Sequence, residues 1–221
     1  LAATQFLKEL LQQKSVCFDT ETTSLNALEA ELVGIAFSWT KGKGYYLVLP
    51  ENKDEVLEIL TPFKAFFEHP EIEKIGHNLK YDLKVLRNYD IQVNAPLFDT
   101  MIAHYLINPD MRHNMDILAE TYLNYSPQSI TELIGKKGKN QRTMREVPIE
   151  QQTEYAVEDA DITLQLKEYF QEEMTAAKTL ELYQKVELPL VSVLTSMECE
   201  GINLDVPFLK TGPQVRLLNR S

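Results

Sequence analysis

Two apolar runs in a row, ELVGIAFSW at 31–39 and GYYLVLP at 44–50, constrain this chain more than any other feature. They are rich in β-branched and aromatic residues and are separated by the turn Lys41-Gly42-Lys43-Gly44. That pattern predicts an antiparallel hairpin. A lone hairpin is barely stable in water and needs further strands or a helix against it. The neighbouring sequence offers them. Ser15–Phe18 reads as a buried strand, Glu73–Gly76 as a short strand and Leu97-Phe98 as another candidate. Helical spacing occupies the rest. Residues 1–14 place Phe6, Leu7, Leu10 and Leu11 on one face, and Glu51–Glu68 does the same with Val56, Leu57, Leu60, Phe63 and Phe67. A helix starts at Asn78. From Asp99 to about Ala176 the pattern is helical, broken near Asn108-Pro109, Ser126-Pro127 and Gly135–Pro148. A second long helix runs from Thr179 to about Glu200 and ends on Gly201, after which Ile202–Leu204 reads as extended. Early strands followed by alternation and then helices predict an α/β layer fold with a mixed sheet.

The 221 residues suffice for one sizeable core plus an appendage. No run approaches the roughly 18 apolar residues of a membrane span, and no basic-then-apolar leader opens the sequence. Two cysteines, Cys17 and Cys199, allow neither a disulfide framework nor a zinc pattern. A reducing cytoplasm is the simplest setting. The net charge of −11 argues against a general nucleic-acid binder, which carries a basic excess. It leaves room for a nuclease whose acidic site meets phosphate through a cation.

The chemistry is concentrated in three stretches. VCFDTETTSL at 16–25 puts Asp19 and Glu21 at the end of an apolar run. Acid-x-acid pairs also occur at Glu29/Glu31, Glu71/Glu73, Asp159/Asp161 and Glu198/Glu200, and most such pairs are solvated surface. Strand alternation, however, aims both Asp19 and Glu21 to one side, where they suit one hard cation. GHNLKYDLKVL at 76–86 places Asp82 in the first turns of a helix, with Asn78 as the expected N-cap. The bland reading is an acid well placed on the helix dipole. TEYAVEDADITLQL at 153–166 puts Tyr155 and Asp159 on one helix face, and of ten tyrosines only Tyr155 has an Asp four residues on. Glu158 and Asp161 are assigned to solvent or structural hydrogen bonds. Four such carboxylates are about what two Mg²⁺ or Mn²⁺ ions about 3.5–4 Å apart require. A phenol beside them can orient water, although its ordinary pKa makes it a poor base. His77, His104 and His113 have no spacing of a metal triad, and Asp99 reads as an N-cap.

With these motifs in place, the chain resembles the proofreading 3′–5′ exonuclease domain of bacterial family A DNA polymerases, in the tyrosine branch of the DEDD superfamily. DTETTSL matches the first motif, NLKYD the second and YAVED the third, while FDTM at 98–101 and GKKGKNQRT at 135–143 resemble the family's connecting segments. The resemblance runs from about Val16 to about Asp205. It implies a ribonuclease H-like fold, a mixed five-stranded sheet flanked by helices. VELPLVSVLTSMECEGINLD at 186–205 resembles the helix that opens a polymerase domain. The resemblance therefore divides the chain into an exonuclease domain at 1–177 and the start of a truncated polymerase domain at 178–221. Residues 211–221 do not resemble the family's continuation.

Carried onto this sequence, the resemblance implies that Asp19, Glu21 and Asp159 hold a first metal, that Asp19 bridges to a second, and that Asp82 holds that second ion. Tyr155 and Glu21 would position the attacking water. Leu25 would wedge against the terminal base, Asn78 would lie near the terminal nucleotide, and the backbone at Thr22 would meet the 3′ hydroxyl. The basic loop residues Lys136, Lys137, Lys139, Arg142 and Arg145 are either phosphate contacts or a solvated loop. The implied activity is metal-dependent removal of single nucleotides from a frayed or single-stranded DNA 3′ end, releasing deoxynucleoside monophosphates. The partners would be that DNA and the polymerase domain of the same full-length chain. Competing readings are a ribonuclease D-like RNA 3′ trimmer and an inactive scaffold that has kept the acids.

Overall fold

The computed structural model describes residues 3–94, 96–138 and 140–211. The chain opens with helix α1 (Ala3–Leu10), which buries Phe6 and Leu10. Strands β1 (Ser15–Thr22), β2 (Leu32–Thr40) and β3 (Lys43–Val48) follow. After α2 (Lys53–Leu60), a 3₁₀ turn (Thr61–Phe63) and α3 (Lys64–Phe67), the chain forms β4 (Glu73–Gly76) and α4 (Leu79–Arg87). The single helix expected over 51–68 is thus broken at Thr61-Pro62, where proline removes a backbone donor.

Strand β5 (Leu97–Asp99) leads into α5 (Thr100–Ile107), then α6 (Met115–Leu118), which runs into a π turn at Ala119–Leu123. Helix α7 (Ile130–Ile134) and a 3₁₀ turn (Met144–Glu146) precede the 28-residue α8 (Ile149–Ala176). The second long helix is interrupted: α9 (Leu180–Leu182), a π segment at Tyr183–Glu187, and α10 (Leu188–Glu200), ended by Gly201 at φ 71°. Residues 202–204, expected as extended, join no strand, and α11 (Val206–Thr211) follows. The tail beyond Thr211 lies outside the described residues.

The five strands form one mixed sheet in the order β3-β2-β1-β4-β5. β1 runs antiparallel to β2 and parallel to β4, and β4 runs parallel to β5. The carboxyl ends of β1 and β4 therefore lie side by side, the place where such sheets bind ligands. Alternation along β1 sends Val16 and Phe18 into one apolar core, with α1–α4, and Cys17 into a second core under α8. Asp19 and Glu21 continue the Cys17 side. The segment after residue 177 also enters both cores, through Tyr183 and Val191. Among the described residues, no helix is long and apolar enough to cross a membrane.

Candidate active site

The end of β1, the start of α4 and the middle of α8 converge on a cleft of about 640 Å³. Asp19 and Glu21 reach it because they are two apart on a strand. Glu21 stands opposite Gly34 of β2, and the register shifts between Glu21 and Thr22. Such an irregularity at a strand end re-aims side chains. Asp159 reaches the same point from α8, whose flanking Ala156 and Ala160 are fully buried against the sheet. One carboxylate oxygen from each of Asp19, Glu21 and Asp159 lies within 4.8 Å of the other two. Asp82, on the first turn of α4, sits behind them: its Oδ1 accepts from the Thr20 amide at 3.2 Å and the Thr20 hydroxyl at 2.5 Å.

Among the described residues, this concentration of negative charge has no ion-pair partner. Burial pushes Asp19 up to about 6. Burial, then the charges of Asp19, Asp159 and Asp82, hold Glu21 well above the carboxylate range. Asp82 and Asp159 are likewise raised, by burial first and the Asp19 charge second, with the Thr20 hydrogen bonds opposing the rise at Asp82. Glu21 Oε1 is buried with no hydrogen-bond partner. An orphaned carboxylate oxygen in an all-oxygen cluster fits a hard divalent cation. The Tyr155 phenol is pushed upward by burial, then by Asp159 and Glu21, so it stays protonated and can donate.

The structure brings together all five residues expected at the centre: Asp19, Glu21, Asp82, Tyr155 and Asp159 line one cleft. The residues expected around them fare unevenly. Thr22, Leu25 and Asn78 line the cleft, and Leu25 is 89% exposed. Asn78 does not cap α4 with its side chain, contrary to expectation. It takes a left-handed backbone conformation (φ 63°, ψ 47°), and the free amides of Asn78 and Leu79 are accepted by Asp99, at 3.3 and 2.8 Å. Asp99 also caps α5 as expected, through Met101 and Ile102.

In the basic loop, Arg142 lines the cleft while donating to the Leu133 carbonyl at 2.6 Å. Lys136 and Lys137 are exposed, and Lys139 lies outside the described residues. Arg145 braces the carbonyls of Leu32 and Leu49, so its role is in the fold rather than at phosphate. Glu158 and Asp161 bind Gln128 and Gly42 amides, as assigned. His104 pairs with His113 and Tyr122, and His77 with Thr100.

Sequence reasoning missed Thr20 and Tyr81. Thr20 holds Asp82 across 62 positions, a partnership no local spacing announces. Tyr81 donates to the Ser24 carbonyl and meets the Thr22 hydroxyl, tying the loop that carries Leu25 to α4.

Comparison with known proteins agrees with this geometry. Residues 2–175 match the model of a 3′–5′ exonuclease family. DNA polymerase I of Chloroflexus aurantiacus is 37% identical over 215 residues, covering 95% of this chain and 22% of that protein. The chain thus spans about a fifth of the length of the curated relatives it matches. Among solved structures, the POL domain of Pol1 from M. smegmatis, in complex with DNA primer-template and dNTP, superposes with a TM-score of 0.74. It is 21% identical, with 94% of this chain and 32% of that one covered. Escherichia coli RNase D, an exoribonuclease, reaches a TM-score of 0.70 at 19% identity, covering 89% and 48%. These two likenesses show the ribonuclease H-like fold, while the sequence match identifies the family. Its family is metal-dependent, in keeping with the acidic cluster. By motif, geometry and sequence relationship, the chain belongs to the 3′–5′ exonuclease family of DNA polymerase I.

Proposed function

We propose that this chain hydrolyses single nucleotides from the 3′ end of DNA, with two divalent ions, Mg²⁺ or Mn²⁺, held by its four acids. The observation that carries this reading is the meeting of Asp19, Glu21 and Asp159 within 4.8 Å, with Asp82 beside them and Tyr155 on the same cleft wall. Asp19, Glu21 and Asp159 would hold one ion, and Asp82 with Asp19 the other. Such ions supply charge neutralisation at the scissile phosphate and make water a nucleophile at neutral pH. The chain's own groups do the rest. Tyr155, protonated, donates to an attacking water and, with Glu21, orients it. Thr22 offers its backbone to the terminal sugar, and Leu25 and Asn78 bracket the terminal nucleotide. Arg142, with Lys137 and Lys139 nearby in sequence, offsets phosphate charge at the cleft mouth.

A site recessed between β1, α4 and α8 admits a single strand more readily than a duplex, so the substrate end is frayed or single-stranded. Residues 1–177 would form the exonuclease domain, with 178–221 leading toward a polymerase domain. The exposed Leu190, Val193, Leu194 and Met197 of α10 offer that domain an apolar face. The unpaired cysteines, Cys17 and Cys199, suit a reducing cytoplasm. The test is release of mononucleotides from a 3′-labelled single-stranded DNA with Mg²⁺ or Mn²⁺ against EDTA, beside Asp19→Ala. Metal-dependent release lost in the variant is expected. Faster trimming of a matched RNA would overturn the DNA assignment, and no release would favour a scaffold.

A further inference from the structure

Outside the cleft lining, but on the same face of the sheet as the two β1 acids, stands a residue that no motif includes. Tyr46, on the edge strand β3, leans its ring across Gly34. A Cβ at Gly34 would lie 2.3 Å from both Cζ and Oη of that ring, so only glycine leaves the place open. Gly34 stands directly opposite Glu21, and Tyr46 pairs with Ala36, which in turn pairs with Asp19. Directly paired residues share a face of the sheet. The phenol ring therefore stands on the same face as both β1 acids, over the position beside Glu21.

The ring is fixed from above. Its hydroxyl donates to Gln152 Oε1 at 3.1 Å, and Gln152 Nε2 donates to the Val147 carbonyl at 2.7 Å. Gln152 is buried and lies three residues before Tyr155 and seven before Asp159 on α8, on the same face. On the same face of the sheet, Glu21 Oε1 is buried without a partner. Nothing hydrogen-bonds that oxygen into place, so its direction depends on what fills the space behind it.

We infer that Tyr46 is a positioning residue for Glu21: its ring, seated on Gly34 and pinned to Gln152, keeps the Glu21 carboxylate turned toward Asp19 and Asp159. This rests on the proposed role of those acids as cation ligands. Without the ring, the carboxylate gains room to swing back over Gly34 and away from the cluster. Partners that orient metal-binding side chains change affinity or activity by about 10–100-fold when removed. The hydroxyl serves mainly to park the ring, so the ring matters more than the oxygen.

The test compares wild type, Tyr46→Phe, Tyr46→Leu and Tyr46→Ala, each checked for folding by thermal melting. Two readouts are taken: Mn²⁺ binding, from the free-ion electron paramagnetic resonance signal, and steady-state release of mononucleotides from single-stranded DNA. Tyr46→Phe is expected within about 3-fold of wild type in both. Tyr46→Ala is expected to weaken Mn²⁺ binding and lower kcat by about 10-fold or more, with KM for DNA nearly unchanged. Tyr46→Leu fills most of the volume and guards against a fold that Ala alone upsets; it is expected between Phe and Ala. A folded Tyr46→Ala or Tyr46→Leu protein with wild-type Mn²⁺ affinity and kcat would overturn the inference. Should wild type bind Mn²⁺ yet release no nucleotide, the exonuclease reading fails, and the Mn²⁺ affinities of the variants still decide the role of Tyr46.

Discussion

Asp19→Asn should make the metal-free protein more stable while destroying its activity. Asp19 is raised by burial from an ordinary 3.8 to about 6. A group whose folded pKa exceeds its unfolded one costs nothing below the unfolded value. The cost appears as pH rises between the two values and is complete above the folded one. At pH 7.5 the carboxylate is ionised in both states, and the fold carries the whole cost. From 3.8 to about 6, at about 1.4 kcal/mol for each tenfold in the protonation equilibrium, that cost is about 3 kcal/mol. Asparagine keeps the shape and drops the charge. For a chain of this size, 3 kcal/mol corresponds to a rise in Tm of about 6–12 °C as a ceiling.

The assay is thermal unfolding in EDTA at pH 7.5, 6, 5 and 4. The variant's advantage should be largest at pH 7.5, shrink through pH 5 and fall to about 0.5 kcal/mol at pH 4, just above the unfolded pKa of 3.8. Adding Mg²⁺ or Mn²⁺ at 100 times its dissociation constant should then raise wild type by about 2.7 kcal/mol, closing most of the gap, while the variant gains far less. A folded Asp19→Asn that is no more stable than wild type in EDTA at pH 7.5 would refute the reasoning. So would an advantage that persists unchanged at pH 4, since charge could not be its origin.

Thr20→Val should remove the hydroxyl donor to Asp82 while keeping the amide one, lowering kcat roughly 10-fold or more with DNA KM little changed, in the same release assay. Asp99→Ala should cost about 3–5 kcal/mol in urea unfolding, because four amides, of Asn78 just before α4, Leu79 in it, and Met101 and Ile102 in α5, lose their acceptor in a buried place; a loss below 1 kcal/mol would contradict this double cap. Leu25→Ala should leave stability unchanged within about 0.5 kcal/mol, since the side chain is 89% exposed, yet raise KM for DNA several-fold. A Tm drop without a KM change would assign Leu25 to the fold instead.

What the sequence made legible was whatever repeats locally. The hairpin of β2 and β3 followed from two apolar runs and a turn. The shared side of Asp19 and Glu21 followed from a period of two, and that of Tyr155 and Asp159 from a spacing of four. What stayed hidden depended on contacts between distant segments. Asn78 was expected to cap its helix because asparagine ordinarily does so, but Asp99, 20 residues away from Leu79, already supplies the acceptor. Released from capping, Asn78 adopts a left-handed turn that places it on the cleft wall. Arg145 looked like part of a basic patch, yet its guanidinium is taken by two backbone carbonyls. The π segments at Ala119–Leu123 and Tyr183–Glu187 have no signature in composition or spacing.

The distance between β1 and α8 explains why small residues matter as much as the acids. Asp159 must approach a strand some 140 residues earlier in sequence closely enough for carboxylate oxygens to meet. Ala156 and Ala160, both fully buried, flank that approach on the helix, and Cys17 and Ala36 line the sheet below. Gly44 leaves room for Val157 at the β3 edge, where a Cβ would lie 2.7 Å from its Cγ1. Larger side chains on either surface would lift the helix and separate the cluster, since close-packed interiors do not absorb extra volume without shifting backbone. Burial thus does two opposed things here. It raises the carboxylates, making the metal-free site costly, and the same tight seat holds them near enough to share cations. The fold gives up stability at one point of its surface, and that point is where its chemistry would be done.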